Sequence, residues 1–89
     1  MTIRASALLG ATVVDRQDQR LGTLSDLLLD EPRPGRVCYA LIDVDSATDG
    51  DGRTVAVPWS VLQPDGSHRR LVLDVSRGAL RRMSHFRGP

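Results

Sequence analysis

The chain has 89 residues and a formal net charge of +1. A chain of this length forms one domain with one core, which excludes a deep active site between two lobes. The near-neutral charge argues against a strong attraction of the whole molecule to nucleic acid or anionic membranes.

The charges are unevenly distributed along the chain. Residues 1–67 contain six arginines against ten acidic residues, a net charge of −4, whereas residues 68–89 contain six arginines against Asp74 alone, a net charge of +5. Such a split favours a basic tail that folds back onto its own acidic body or onto another copy.

Cysteine content and hydropathy indicate in which cellular compartment the protein is expected. Cys38 is the only cysteine, which excludes an intramolecular disulfide and a multi-cysteine metal site and fits a reducing cytoplasm. The sequence has neither an apolar run long enough to span a membrane nor a signal-peptide pattern, so we expect a cytoplasmic protein.

The first half of the chain predicts a turn followed by two strands. Residues 6–10 form the turn, residues 11–15 a short strand and residues 16–20 a polar hairpin connection. Residues 21–30 have leucines at helical spacing, but Gly22 and Thr23 are poor in helix interiors, and we interpret the segment as a strand bent at Gly22.

The middle of the chain predicts the longest strand. Residues 31–35 form a proline-rich turn, and residues 36–45 are apolar on both faces, a pattern typical of a strand covered on each side. Cys38 within it is expected to be a small core residue. Residues 46–52 form a long loop.

A strand over residues 53–57 is predicted to end in a corner. Pro58 removes a backbone donor and stops regular pairing. Trp59 directly after it is the only tryptophan and the largest apolar anchor, and we expect it to fill the core.

The last third predicts a brief strand or single turn at residues 61–63, a tight turn at residues 64–67 and a strand at residues 69–74. Ser76 is a good N-cap for a short helix over residues 79–83. The chain therefore predicts an all-β fold, a small, strongly bent antiparallel barrel of five to six short strands with a short C-terminal helix. We expect one domain over residues 1–89, with its core over about 6–75 and a basic helical tail over about 76–89.

Several stretches, in this order and spacing, resemble the PRC-barrel domain family from about Ser6 to Met83. They are Leu9-Gly10 with Val13-Val14-Asp15, residues 21–26 running into Leu29-Asp30, Gly35-Arg36-Val37 leading to residues 39–44, and residues 55–59.

The resemblance implies a compact all-β barrel and a binding role. The family includes the cytoplasmic domain of the photosynthetic reaction-centre H subunit and the C-terminal half of a bacterial ribosome maturation factor that docks on a ribosomal protein. It also includes small stand-alone proteins. This chain has neither the membrane helix of the first nor the partner domain of the second, so we expect a stand-alone member to which neither role transfers.

Candidates for catalysis and metal binding are few. His68 and His85 have no partner at ligand spacing, and Ser60 is not in a nucleophile elbow. We therefore expect no enzyme activity, no catalytic residue, no cofactor and no metal site. The acidic loop over residues 43–51 matches a calcium-binding loop poorly, because the twelfth position counted from Asp43 is Thr54 and not the bidentate glutamate that such loops have. We interpret the loop as a solvated hairpin tip, with weak calcium binding as the alternative.

The C-terminal arginines could contact a membrane or RNA. The segment is too short to bind lipid strongly, and it lacks the aromatic residues that stack on bases. We expect it to lie over the open end of the barrel, with the following arginines as tail contacts: Arg77, Arg81 and Arg82.

The leading functional hypothesis is a non-enzymatic protein–protein interaction module that forms a homodimer and binds another, unidentified protein. Its basis is an excess of apolar residues on the two long strands over what one small core needs. The expected interface consists of Leu27, Leu29, Val37, Tyr39 and Leu41. The alternative is a ribosome- or RNA-associated accessory factor that acts through the basic tail.

Overall fold

The computed structural model of the protein describes residues 4–30, 36–45, 53–65 and 70–82. These contain six strands, two short helices and one 3-10 turn. In chain order the elements are α1 (Ala5–Leu8), β1 (Thr12–Val14), β2 (Arg20–Leu29), β3 (Val37–Val44), β4 (Arg53–Pro58), the 3-10 turn (Trp59–Val61), β5 (Leu62–Pro64), β6 (Arg70–Leu73) and α2 (Arg77–Arg82).

The six strands form one strongly curled, half-barrel sheet in the order β4-β3-β2-β1-β6-β5. The all-β prediction with a short C-terminal helix is therefore confirmed, and the stretch predicted as a brief strand or a turn contains both. One pairing differs from the expected antiparallel barrel, because β1 and β6 are parallel, with Val13 opposite Leu71.

The corner after β4 explains the parallel pair. β4 and β5 stand at opposite ends of the strand order, yet only the 3-10 turn separates them along the chain. The antiparallel pairings and the parallel pair together require β4 and β5 to run in the same sense. The chain therefore passes from β4 to β5 through the corner at Pro58 without reversing its direction. The segment made of β4, the 3-10 turn and β5 provides both edge strands of the curled sheet.

β2 bends through irregular pairing on both sides. Its pairing with β1 skips Leu21, and its pairing with β3 skips Ser25, whose hydroxyl donates to the Leu41 carbonyl at 3.2 Å. Bulges of this kind shift the alternation of a strand between its faces. Leu21 and Leu24 are consequently both fully buried, and Leu27 packs against the same core, which explains the helix-like spacing of these leucines.

Gly22 lies beside the first of these bulges and permits a close approach of β3. A Cβ atom at Gly22 would stand 2.1 Å from the backbone oxygen of Asp43. The bend predicted at this glycine is present, and its direct cause is the bulge, while the glycine removes the atom that would block the neighbouring strand.

The core is aliphatic and excludes the single tryptophan from its centre. Its fully buried large side chains include Leu21, Leu24, Ile42, Leu71, Leu73 and Leu80. Trp59 is half-buried and packs against this core from the corner. The expectation that it fills the core is wrong, because the 3-10 turn holds residue 59 outside the regular strands and leucines occupy the interior.

The C-terminal helix α2 closes part of the core. Its N-cap Ser76 accepts a hydrogen bond from the Ala79 amide at 3.0 Å, as predicted. Leu80 is fully buried, and Arg53 of β4 donates to the Leu80 carbonyl at 3.2 Å. Leu80 and the Arg53-to-carbonyl bond therefore both hold the helix against the sheet.

Candidate interaction surface

The side of the curled sheet that faces away from the core carries apolar residues in cross-strand rows. β3 pairs with β2 and β4 so that Leu28, Tyr39 and Pro58 form one row. The next rows are Asp26, Leu41 and Ala56, then Thr23, Asp43 and Thr54. We call the surface formed by these three rows the outer face.

Two large apolar side chains are exposed where β2 ends and β3 begins. Leu29 is 59% exposed and Tyr39 is 45% exposed. Leu28 and Val37 beside them are half-buried, and Pro58 is exposed. Leu28, Tyr39 and Pro58 form one apolar row on the outer face, and an exposed apolar patch is typical of a surface that binds another molecule.

An open groove of about 450 Å³ lies where β3 begins and β4 ends. It forms because Pro58 turns the chain away from the sheet, so the 3-10 turn stands beside the first residues of β3 and forms the opposite wall. The groove is lined by Arg36, Val37, Cys38, Tyr39, Pro58, Trp59 and Ser60.

Cys38 and Trp59 belong to this groove. Pairing between β2 and β3 skips Cys38, so the residue lies in a bulge and is half-buried. The expectation that Cys38 is a small core residue is therefore wrong. Neither residue was predicted as part of a binding surface, since the groove that they line is formed by two segments far apart in sequence, residues 36–39 and 58–60.

The structure brings two of the five predicted interface residues, Tyr39 and Leu41, to the outer face, and Leu41 is only 8% exposed and offers a partner little area. Leu29 and Val37 pair with each other one position beyond Leu28 on β2, so they lie on the opposite face at the end of these strands. Leu27 pairs with the buried Ala40 and packs against the core. The bulge at Ser25 changes the face of Leu27 and puts Leu28 on the outer face in its place.

Charged residues stand at the two ends of the outer face. Asp43 accepts a hydrogen bond from the Thr54 hydroxyl at 2.6 Å, and Asp26 accepts one from the Leu27 amide at 2.8 Å. Both aspartates are exposed, as is Arg36 at the other end. The apolar middle of the face thus separates an acidic end from a basic end.

The predicted acidic loop is described only at its first residues. Asp43 bonds to Thr54, and Asp45 forms an ion pair with Arg20 at 2.6 Å. Asp49 and Asp51 lie outside the described residues, as do His68 and His85. Among the residues that the structure describes, no group of three potential metal-binding side chains occurs. Weak calcium binding by the loop stays a prediction.

A second concave region lies near the β1–β2 connection. It encloses about 220 Å³ and is lined in part by Arg16 and Asp74, which form an exposed ion pair at 2.7 Å. Exposed pairs of this kind contribute little free energy, and this one joins the hairpin loop to the end of β6.

The β1–β2 connection is organised by a buried carboxylate. Asp15, only 7% exposed, accepts hydrogen bonds at 2.9 Å from the backbone amides of Gln17 and Gln19. Its backbone also bonds to Gln19 and Asp18, and Asp18 has a positive φ of 65°. This acidic group therefore holds a turn.

Arg70 at the start of β6 joins two loops. Its guanidinium donates to Asp65 at 3.0 Å and also pairs with Asp18. The hydrogen bond to Asp65, followed by the charge of Asp18, raises the pKa of Arg70 above its ordinary value. The guanidinium is charged at neutral pH in either case, so this contribution to stability is present there and is lost as the pH rises into strong alkali.

The predicted tail contacts lie on α2. Arg77, Arg81 and Arg82 fall within the helix, and the Arg82 side chain is exposed. In the part of the chain that the structure describes, no helix has the length and hydrophobicity needed to cross a membrane.

Comparison with known protein families identifies the family to which this half-barrel belongs. The sequence model of the PRC-barrel domain matches residues 1–80. The chain belongs to the PRC-barrel family. A search among curated proteins finds no match. The family identity agrees with the six-stranded curled sheet of this PRC-barrel protein.

Proposed function

We propose that this PRC-barrel protein is a non-enzymatic interaction module that acts as a homodimer and binds a further protein. The observation that carries the proposal is the exposure of Tyr39 within the apolar row of Leu28, Tyr39 and Pro58 on the outer face. Burying such side chains against a partner removes apolar area from water, which is the main favourable term in association. A non-enzymatic role fits polar groups that support the fold, such as Asp15 in its turn.

The oligomeric state of the purified protein tests this function. We expect sedimentation equilibrium over a micromolar concentration series to give a dimer mass for the wild type. Tyr39→Glu should shift the population to monomer, because it places a charge in the apolar interface. Leu9→Glu is the matched control, since Leu9 is a similarly exposed apolar residue, at 42%, outside the outer face.

Two results would contradict the proposal. A wild-type protein that stays monomeric throughout the concentration series contradicts the proposed homodimer. A dimer that Tyr39→Glu leaves intact while Leu9→Glu disrupts it moves the interface to another surface. Circular dichroism on each variant confirms that the sheet is retained.

The second candidate function is a ribosome- or RNA-associated accessory factor. It is supported by the exposed Arg82 on a docked helix, in a segment with a net charge of +5 over residues 68–89. Removing residues after Asp74 is a poor test, because it also removes the buried Leu80. Reversing Arg77, Arg81 and Arg82 to glutamate preserves Leu80, and loss of co-sedimentation with ribosomes that Arg4→Glu does not reproduce would favour this function.

A further inference from the structure

The outer face has opposite charges at similar distances from Tyr39. Asp43 lies four residues after Tyr39 along β3, and Arg36 lies three residues before it. At about 3.3 Å per residue, the two stand about 13 Å and 10 Å from Tyr39 in opposite directions. Asp26, on β2 beside Leu41, adds a second carboxylate to the acidic end.

These charges are available to a partner. Asp43 and Asp26 take part only in short-range hydrogen bonds with Thr54 and the Leu27 amide among the described residues. Within the same residues Arg36 forms no ion pair, although other exposed arginines such as Arg16 do. The surface therefore has a basic group whose complement is not supplied by its own described neighbours.

We infer that two copies of the chain pack outer face to outer face about a two-fold axis that crosses the strands at Tyr39. The inference rests on the proposed function, because it specifies the surface and symmetry of the proposed homodimer. Rotation about this axis reverses β3, so Arg36 of each copy lies over Asp43 of the other copy. The two-fold symmetry forms this contact twice.

The same axis matches the apolar residues. The row of Leu28, Tyr39 and Pro58 runs across the strands, along the axis, and packs against its own copy. The two Tyr39 rings meet there in an offset or edge-to-face arrangement. Sheets packed face to face align their strands within about 30°, which allows the antiparallel superposition of β3 on β3.

The charges select this arrangement over the other symmetric one. An axis parallel to the strands would place Arg36 over Arg36 and Asp43 over Asp43. Like charges placed together disfavour an interface, whereas opposite charges fix its register. Electrostatic complementarity thus determines which of the two face-to-face dimers forms.

A charge-reversal cycle tests the arrangement. We expect Arg36→Asp and Asp43→Arg each to raise the dimer dissociation constant about tenfold, because each creates two like-charge contacts. The double variant, which exchanges the charges, should return within about threefold of the wild type. Arg4→Asp, at an exposed arginine outside the outer face, is the control and should leave the constant unchanged.

The cycle separates this inference from the proposed function. A wild-type dimer whose affinity does not change in the single variants, or whose double variant is as weak as the two single effects combined, overturns the arrangement and leaves the homodimer standing. A monomeric wild type overturns both. Thermal melting of each variant shows whether the fold is retained.

Cross-linking at the axis gives a second test. Tyr39→Cys in a Cys38→Ser background places two thiols next to the axis, and a disulfide requires Cα atoms about 4.4–6.8 Å apart. Because facing sheets stand about 10 Å apart, which is beyond that range, a short bis-maleimide reagent is used to bridge the thiols. It should give a covalent dimer, whereas Leu9→Cys in the same background should stay monomeric in denaturing electrophoresis. Cross-linking by Leu9→Cys but not by Tyr39→Cys would overturn the axis position.

Discussion

At residue 22 the sheet has no space for a side chain. The Cβ position of Gly22 lies 2.1 Å from a backbone oxygen of β3, so the obstacle cannot move aside as a side chain could. Gly78 is a contrasting case, because a Cβ atom there would meet its nearest neighbours at 3.9 Å on the exposed side of α2.

Gly22→Ala is therefore expected to destabilise the protein by about 3 kcal/mol, since β2 and β3 must separate to admit the methyl group. Gly78→Ala should stabilise it by about 0.5–1 kcal/mol through helix propensity. Urea denaturation followed by circular dichroism measures both. Equal effects of the two substitutions would contradict the close approach at Gly22.

Asp15 stabilises its turn through a carboxylate oxygen that accepts two hydrogen bonds from backbone amides. We expect Asp15→Ala to cost about 2 kcal/mol, because two backbone amides lose their partner. Asp15→Asn keeps an acceptor oxygen and should cost less than about half as much. The same urea measurement decides this, and a large loss in Asp15→Asn would show that the negative charge matters more than the hydrogen bonds.

At the scale of elements, α2 is attached to the sheet chiefly by Leu80. This side chain is fully buried in a core formed mostly by residues of the β-strands. The helix has only six residues and is too short to be stable by itself. Its order depends on the leucine it inserts into the core.

Leu80→Ala should accordingly destabilise the whole domain by about 3 kcal/mol through the cavity it leaves. Leu9→Ala removes the same atoms from a side chain that is 42% exposed and should cost less than about 1 kcal/mol. A small effect of Leu80→Ala on the denaturation midpoint would mean that α2 is detached in solution.

The predictability of the elements from sequence differs between strands. In β4 the alternation of Val55, Ala56 and Val57 correctly predicts which residues are buried, because β4 pairs without irregularity. In β2 the same reasoning places Leu27 on the wrong face. A bulge depends on the pairing partner as well as the local sequence, so periodicity alone does not reveal it.

At the scale of the whole molecule, the 3-10 turn joins the two ends of the strand order. Its three residues hold β4 and β5 close together, although no ladder pairs these two strands among the described residues. The curl of the sheet is therefore fixed by covalent continuity at one corner. Local hairpin signals predict antiparallel neighbours and do not reveal how a corner places distant strands. The parallel pairing of Thr12 with Arg70 depends on this corner, so the sequence predicts an antiparallel barrel instead.

Lengthening the corner should relax the curl. Four glycine and serine residues inserted between Ser60 and Val61 are expected to destabilise the protein by about 2 kcal/mol, because Trp59 and Val61 lose their fixed positions against the core. The same insertion within residues 31–35 should cost less than about 1 kcal/mol, as expected for a longer strand connection. Equal losses in urea denaturation would contradict the closing role of the turn.

The groove also gives the molecule an intrinsic optical and chemical reporter. The chain has one indole and one thiol, Trp59 and Cys38, and both line the same groove while only half-buried. A partner seated there will dehydrate the indole, shift its emission to shorter wavelength and slow alkylation of the thiol. Titration of the unmodified protein with an unlabelled candidate partner then measures binding in the groove by two independent signals, the emission of Trp59 and the alkylation rate of Cys38.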